Sequence, residues 1–279
     1  MRFKLIALDI DGTLLNSQKQ IGPRTKQALH DAAEAGIKIV LCTGRRYRST
    51  LFILQMLGIK PMVVAHGGSL VKDSRTHETI YKHALPFKLA EAVLVFLRKY
   101  DVSPLVILDA FPHGPDFVIE NDRTGKPEFL RYIQAAAGHY LVSREFANVP
   151  RHKMLEIALF DKMGSLTTLL HSLKQEFRNQ IVAHVLQFDR YRNQSDCLEI
   201  FGRGTSKWNA LIHVAEQFGI ADKEIIAAGD DVNDLEMIEK AGFGIAMGNA
   251  RDEIKDVADL VTGSYDEEGV ADFVEQILE

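Results

Sequence analysis

Short apolar runs alternate with segments of helical periodicity along the first third of the chain. Residues 3–8 and 62–65 are predicted strands, and 37–42 form a continuous apolar run typical of a strand buried on both faces. Between them, one helical segment begins at Pro23 and ends at Gly36, and a second ends at Gly58. Strands separated by helices predict right-handed crossovers and a parallel sheet.

The last third repeats this alternation. A helix over 206–218, a strand over 224–229, a short helix over 233–241 and a further strand within 242–248 are predicted. An apolar-periodic segment over 268–278 closes the unit. We expect the first and last thirds to form one sheet with helices on its faces.

The middle third has a different order, because its predicted strands adjoin one another. Strands over 103–110, 116–120, 153–160, 181–188 and 196–201 are interrupted by helices over 87–100, 127–137 and 165–178. This order is typical of an α+β unit with an antiparallel sheet. The predicted fold class is therefore α/β, a Rossmann-like parallel sheet core over 1–84 and 201–279 with an inserted α+β domain over 85–200.

Composition narrows the function class. Of the 279 residues, 46% are hydrophobic and 25% charged, which is typical of a globular protein. The formal net charge of −5 argues against binding to a nucleic-acid backbone but leaves a small anionic ligand open. Two cysteines are too few for a disulfide framework, and no signal peptide or bilayer-spanning run is evident. We expect a cytoplasmic enzyme or binding protein without a membrane partner.

Polar residues follow each predicted strand of the first domain. They are Asp9, Asp11, Gly12 and Thr13 after the first strand, Thr43, Gly44 and Arg45 after the second, His66, Gly67 and Gly68 after the third, and Asp230, Asp231, Asn233 and Asp234 after the fourth. Each group alone could be an ordinary turn. Because ligands bind beyond the carboxyl ends of parallel strands, their shared edge predicts a site.

The residue types at this edge indicate phosphoryl transfer. Carboxylates close together require a cation, and an oxygen-only ligand set suits Mg²⁺. Thr43, Lys207 and the backbone amides around Gly12 and Gly44 can hold the oxygens of an anion. A metal beside an anion cradle, with a carboxylate between them, is the arrangement that phosphoryl transfer requires.

Four ordered motifs carry a resemblance to a known family. They are "DIDGT" at 9–13, "LCTGR" at 41–45, "GTSKWNAL" at 204–211 and "GDDVNDLEM" at 229–237, and "GIAMGNA" continues the match. The sequence resembles the haloacid dehalogenase (HAD) superfamily and, within it, the Cof-type sugar-phosphate phosphatases. The resemblance implies that the inserted α+β domain is the large α/β-type cap of this branch.

The resemblance also implies a role for each acid. Asp9 would attack phosphorus to form an aspartyl-phosphate, and Asp11 would move the protons. From the residues alone, either acid could be the nucleophile. Asp9 and Asp230, with the backbone carbonyl of Asp11, would hold Mg²⁺, and Asn233 and Asp234 would assist them.

The phosphate-binding set implied by the resemblance surrounds these acids. Thr43 and Lys207 would bind the transferring phosphoryl group and act in catalysis, and Lys207 would also balance the carboxylate charge. The complete expected set is Gly12, Thr13, Thr43, Gly44, Arg45 and Lys207. An acid at position 11 favours a phosphatase or phosphomutase over a P-type ATPase, because a poor alkoxide leaving group needs a proton.

Three departures from the family pattern bear on the substrate. His66-Gly67-Gly68 replaces Asn-Gly-Ala, Trp208 replaces a glycine after the lysine, and Tyr265 replaces an asparagine. We expect Trp208 to pack beneath the cap or to contact the substrate. Specificity is expected to lie in the cap, with these candidates: His113, Asp116, Glu120, Asn121, Arg123, Arg190 and Arg192.

The predicted function is a Mg²⁺-dependent phosphatase that hydrolyses small phosphate monoesters such as a sugar phosphate, a nucleotide or pyridoxal phosphate. A phosphomutase with the same residues and a non-catalytic phosphometabolite-binding protein remain open as alternatives. The expected partner is a small phosphorylated metabolite, with no nucleic acid and no membrane, and the chain is expected to be a monomer or a homodimer.

Overall fold

A computed structural model describes residues 2–123, 125–143, 153–188 and 195–279. The chain divides into two compact units. Met1–Lys82 and Ser206–Glu279 form the first, called the core unit below, and His83–Thr205 form the second, called the cap unit. Along the described ranges, no helix combines the length and apolar character needed to cross a bilayer.

The first segment of the core unit alternates strands and helices up to its third strand, as its apolar pattern predicts. Its elements are β1 (Leu5–Leu8), α1 (Pro23–Glu34), β2 (Lys38–Cys42), α2 (Tyr47–Leu57), β3 (Met62–Ala65), β4 (Leu70–Asp73) and β5 (Thr79–Lys82). Pro23 begins α1, where its missing N–H has no helical partner to lose. Gly58 ends α2 in the left-handed conformation, at φ 81°.

The cap unit is an α+β unit. Its elements are α3 (Phe87–Leu97), β6 (Leu105–Leu108), β7 (Phe117–Ile119), α4 (Pro127–Ala135), β8 (Tyr140–Val142), β9 (Met154–Lys162), α5 (Thr167–Phe177), β10 (Ile181–Phe188) and β11 (Ser195–Gly202). Among the described strands, the sheet order is β10-β11-β9-β6-β7-β8. Neighbours are antiparallel except β7 and β8, which are parallel.

The last segment of the core unit completes its sheet. Its elements are α6 (Lys207–Gln217), β12 (Ile225–Gly229), α7 (Leu235–Lys240), β13 (Phe243–Ala246), α8 (Asp252–Lys255), β14 (Leu260–Val261) and α9 (Gly269–Leu278). Over the described residues the order is β14-β13-β12-β1-β2-β3-β4-β5. The sheet is parallel as far as β3, and the β4–β5 hairpin adds an antiparallel edge that the sequence pattern did not predict.

The strand order places the candidate site. β1 lies between β12 and β2, with Leu5 in parallel register opposite Ile225 on one side and Lys38 on the other. The carboxyl ends of β12, β1, β2 and β3 are therefore neighbours along one edge. The predicted α/β class with a parallel core sheet is confirmed.

Trp208 packs within the core unit. Its side chain is buried in a hydrophobic cluster of the core unit that includes Leu5, Ala7 and Leu211. Trp208, Leu211 and Ala215 recur at helical spacing on the buried side of α6. Its position after Lys207 therefore serves the packing of α6 on the core sheet, and neither cap packing nor substrate contact is needed to explain it.

Candidate active site

Lys207 and two buried carboxylates form the centre of the candidate site. Asp9 follows β1, and its backbone N–H donates to the carbonyl of Ala228 at the end of β12. Lys207 Nζ lies 2.7 Å from Asp9 Oδ1 and 2.6 Å from Asp234 Oδ1. All three side chains are at least nine-tenths buried. One ammonium is therefore shared by two carboxylates that are brought from distant parts of the chain.

The His66-Gly67-Gly68 turn fixes the start of α6, and so the position of Lys207. Gly68 adopts φ +107°, and a Cβ atom there would lie 2.0 Å from the backbone oxygen of Ser206. Ser206 caps α6 by accepting a hydrogen bond from Asn209 N. The His66 N–H donates to the carbonyl of Arg45. This turn thus has a structural function in joining β3, the loop after β2 and α6.

Asp234 uses both oxygens of its carboxylate within the protein. Oδ1 accepts from Lys207, and Oδ2 accepts from the backbone N–H groups of Asp230 and Asp231, at 3.1 and 3.2 Å. The side chain therefore anchors the loop after β12 to the lysine. Asn233 lies next to it and is partly buried.

The acid after β1 and the acids of the loop after β12 can hold a cation. One carboxylate oxygen from each of Asp9, Asp230 and Asp234 lies within 4.8 Å of the others. Three carboxylates and the Lys207 ammonium leave a formal charge of −2 when all are ionised. The possible ligands are all oxygen atoms and carry excess negative charge, which fits Mg²⁺. One or two of these carboxylates are enough to bind that ion.

The pKa values reflect the same imbalance. Burial raises the pKa of Asp9 to about 7, repulsion by Asp234 and Asp11 adds to this, and Lys207 opposes it. Burial lowers the pKa of Lys207, but Asp234 and Asp9 outweigh that effect and hold it above its ordinary value. Lys207 is therefore a cation, and Asp9 retains affinity for a further positive charge.

Asp11 lies in the opposite surroundings. Its carboxylate accepts two hydrogen bonds from the Arg45 guanidinium, Nη2 to Oδ1 at 2.6 Å and Nε to Oδ2, and Lys19 Nζ lies 3.4 Å from Oδ1. Its side chain is 41% exposed. Loss of hydration raises the pKa of Asp11, but Arg45 and Lys19 bring it below the ordinary value. Asp11 is therefore ionised at neutral pH in this state.

The other predicted phosphate-binding residues lie around these acids. Thr43 is buried after β2, and its Oγ1 accepts from the Arg45 N–H at 3.1 Å. Gly44 lies between them in the same turn. Thr13 is buried, and its Oγ1 has no hydrogen-bond partner among the described residues. Arg45, predicted to bind phosphate, is thus paired with Asp11 in this structure.

Sequence reasoning assigned no role to three residues that contact the predicted set. Lys19 approaches Asp11, Arg251 Nε lies 2.6 Å from Asp231 Oδ1, and Asn249 Nδ2 donates to the carbonyl of Gly12. Asn249 belongs to "GIAMGNA", which begins within β13 and continues past its end. Asn249 follows the carboxyl end of β13, so the expectation that ligands bind beyond the carboxyl ends of parallel strands would have identified it too.

Five of the seven cap candidates lie among the described residues. Glu120 lies 3.8 Å from Arg98, Asn121 accepts from the Arg123 N–H, and Asp116 is buried. His113 lies in the turn before β7. Positions 190 and 192, also predicted to contact substrate, lie outside the described residues. Substrate recognition by the cap stays a prediction.

Comparison with known proteins decides the family. A model of the haloacid dehalogenase-like hydrolases matches residues 6–274. The chain belongs to this family. The Bacillus subtilis phosphatase YwpJ is 33% identical to it, with 99% of this chain and all of the relative aligned. The B. subtilis protein YwtE, named 5-amino-6-(5-phospho-D-ribitylamino)uracil phosphatase, is 30% identical over 99% of this chain and 98% of its own length.

A solved structure of a haloacid dehalogenase-like hydrolase from B. subtilis has the same fold. It matches with a TM-score of 0.79 and 28% identity, covering 99% of this chain and all of that one. The predicted family and the predicted enzyme class, a phosphoric monoester hydrolase of the HAD superfamily, are confirmed. The relatives named above are phosphatases.

Proposed function

We propose that this HAD phosphatase hydrolyses small phosphate monoesters in a Mg²⁺-dependent reaction through an aspartyl-phosphate on Asp9. The observation that supports it most directly is the sharing of the Lys207 ammonium between the buried carboxylates of Asp9 and Asp234, beside Asp230. Asp9 and Asp230, with the backbone carbonyl of Asp11, would hold Mg²⁺. The bound ion would neutralise the excess charge and stabilise the charge on the phosphoryl oxygens.

In the first half-reaction an Asp9 oxygen attacks phosphorus, and the bond between phosphorus and the ester oxygen breaks. Asp11 gives a proton to the leaving oxygen. In the second half-reaction a water attacks the phosphorus of the aspartyl-phosphate and passes a proton to Asp11. The bond from phosphorus to Asp9 then breaks, and inorganic phosphate is released.

Arg45 connects substrate binding to this proton transfer. Its guanidinium holds Asp11 ionised before substrate arrives. A phosphate dianion competes for the same guanidinium, because Arg binds carboxylate and phosphate with the same two-pronged geometry. We infer that substrate draws Arg45 away from Asp11, so that the pKa of Asp11 rises and the carboxyl takes up the proton that it donates.

Phosphate release from p-nitrophenyl phosphate, followed with and without Mg²⁺, tests the proposal. Turnover by the wild-type protein should require Mg²⁺, and the Asp9→Asn variant should show no turnover. Asp73→Asn is the matched control, because Asp73 is a buried acid of the core unit that pairs with Arg75. Turnover by Asp9→Asn at the wild-type rate would contradict the mechanism.

A panel of phosphate esters then ranks the substrates by kcat/KM. It should contain hexose phosphates, nucleotides and pyridoxal phosphate, together with the phosphoribityl compound on which YwtE is named to act. An isomerised hexose phosphate without free phosphate would indicate a phosphomutase. Binding across the panel without turnover would indicate a non-catalytic phosphometabolite-binding protein.

A further inference from the structure

Asn249 joins three segments of the core unit beside the carboxylates. Its Nδ2 donates to the backbone oxygen of Gly12 at 2.8 Å and lies 3.4 Å from Asp230 Oδ2. Its Oδ1 accepts from the backbone N–H of Tyr265 at 3.1 Å. One side chain thus contacts the loop after β1, the acid after β12 and the segment after β14.

The contact between Gly12 and Asp230 explains why a donor is needed there. Gly12 adopts φ +88°, and a Cβ atom at this position would lie 2.3 Å from Asp230 Oδ2. The loop therefore runs directly against the carboxylate. The Gly12 carbonyl and the Asp230 carboxylate are both acceptors and repel each other. The amide of Asn249 carries two N–H donors, so it can serve both acceptors and fix their separation.

The backbone around Asn249 is held by other bonds. Met247 N donates to Gly229 O, Gly248 N to Gly263 O, and Arg251 N to Asp230 O. The segment therefore keeps its path after truncation of the Asn249 side chain. What truncation removes is the link between the Gly12 peptide and the Asp230 carboxylate.

We propose that Asn249 is a positioning residue that orients the Asp230 carboxylate and the loop after Asp11 for Mg²⁺. This role rests on the proposed function. Residues that orient metal ligands typically change metal affinity by about 10- to 100-fold when mutated. Asn249→Ala should therefore raise the Mg²⁺ midpoint, which here means the half-saturating Mg²⁺ concentration, by about tenfold or more.

The first measurement is Mg²⁺-dependent thermal stabilisation without substrate. Trp208, the one tryptophan of the sequence, reports unfolding by its fluorescence. The matched control is Thr262→Val, which removes the bond from Thr262 Oγ1 to Gly269 O without touching Gly12 or Asp230. The control should lower Tm and keep the wild-type Mg²⁺ midpoint. Asn249→Ser, too short to reach Gly12, should shift the midpoint as Asn249→Ala does.

The second measurement is turnover as a function of Mg²⁺ concentration. Asn249→Ala should lose kcat at low Mg²⁺ and recover most of it at saturating Mg²⁺, while KM for the phosphate ester stays within about twofold, because the side chain acts on the metal ligands. A general loss of structure would not be rescued by Mg²⁺ in this way.

The outcomes separate this role from the proposed function. A Mg²⁺ midpoint of Asn249→Ala within twofold of wild type overturns the role of Asn249 alone. Failure of both Asn249 variants to fold at 25 °C, with Thr262→Val folded, also overturns it and makes the residue structural. A wild-type protein without any Mg²⁺ midpoint overturns the proposed function, and the role of Asn249 with it.

Discussion

Asp9 and Asp11 are separated by one residue, yet they lie in opposite electrostatic surroundings. Asp9 is buried, shares Lys207 with Asp234 and has its pKa raised to about 7 by burial. Asp11 is 41% exposed and faces both Arg45 and Lys19, and its pKa is lowered. Carboxylates outnumber cations around Asp9, whereas cations outnumber carboxylates around Asp11.

We expect this difference to separate two tasks at neighbouring positions of the chain. An excess of buried negative charge favours a metal cation, and an excess of partly exposed positive charge favours the phosphate of a substrate. Three substitutions and a change of pH test whether the two surroundings have these different functions. They are given from the largest expected effect to the smallest.

Asp9→Asn should have the largest effect on activity. The amide cannot form the acyl phosphate, so kcat should fall by at least about 10⁴-fold and no phosphoenzyme should form. Rapid quench with a ³²P-labelled ester measures both quantities. The variant should remain folded, because it removes a buried charge and keeps an acceptor for Lys207. A trapped phosphoenzyme in Asp9→Asn would assign the nucleophile to another residue.

Lys207→Met should have the largest effect on stability. Removal of one partner from a buried ion pair typically lowers the free energy of unfolding by about 3–5 kcal/mol, because Asp9 and Asp234 then repel each other without compensation. Urea unfolding at pH 7 without Mg²⁺ measures it. Lys240→Met, which breaks an exposed pair with Glu236, is the control and should cost at most about 1 kcal/mol. An equal loss of unfolding free energy in Lys207→Met and Lys240→Met would contradict the role of Lys207 in stabilising the buried carboxylates.

Asp11→Asn should slow turnover by about 10²- to 10⁴-fold, because it removes general acid and base catalysis while leaving the nucleophile. An ester with a good leaving group, such as p-nitrophenyl phosphate, needs less protonation, so it should still phosphorylate Asp9. The phosphoenzyme should then accumulate, since its hydrolysis lacks the base. If Asp9→Asn and Asp11→Asn both fail before any phosphoenzyme forms, the two acids do not divide the work as proposed.

The affinity for Mg²⁺ should rise with pH. Asp9 binds a proton up to about pH 7 in the metal-free fold, and that proton competes with the metal. The half-saturating Mg²⁺ concentration should fall by about fivefold from pH 6 to 7 and change little above pH 8. Without Mg²⁺, the free energy of unfolding should fall as pH rises, because ionisation of Asp9 costs stability between about pH 4 and 7. A pH-independent midpoint would contradict the raised pKa.

Asp9→Asn also controls the pH experiment. It lacks the titrating group, so the stability of its metal-free form should not show the decline that Asp9 causes between about pH 4 and 7. Asp11 contributes with the opposite sign, since its lowered pKa gives stability that is present above its ordinary pKa and is lost as pH falls. The difference between wild type and Asp9→Asn therefore isolates the buried acid.

Most elements of the core sheet could be predicted, because their signals are local. Apolar runs marked β1, β2, β3 and β12, and Pro23 and Gly58 marked a helix start and a helix end. The β4–β5 hairpin was missed because each of its strands has only two adjacent apolar residues and its tip is polar. In the cap unit, β8 was missed for a similar reason, since two of its three residues are exposed.

The sequence by itself determined that acids, a threonine and an arginine would meet at one edge of a parallel sheet. Strand periodicity and the ends of strands suffice for that, because they depend on neighbouring residues. It did not determine which charges would pair. Lys207 reaches Asp9 across 198 positions, and Asn249 reaches Gly12 across 237. Such pairings depend on strand order and on close backbone approaches, which only the tertiary structure decides.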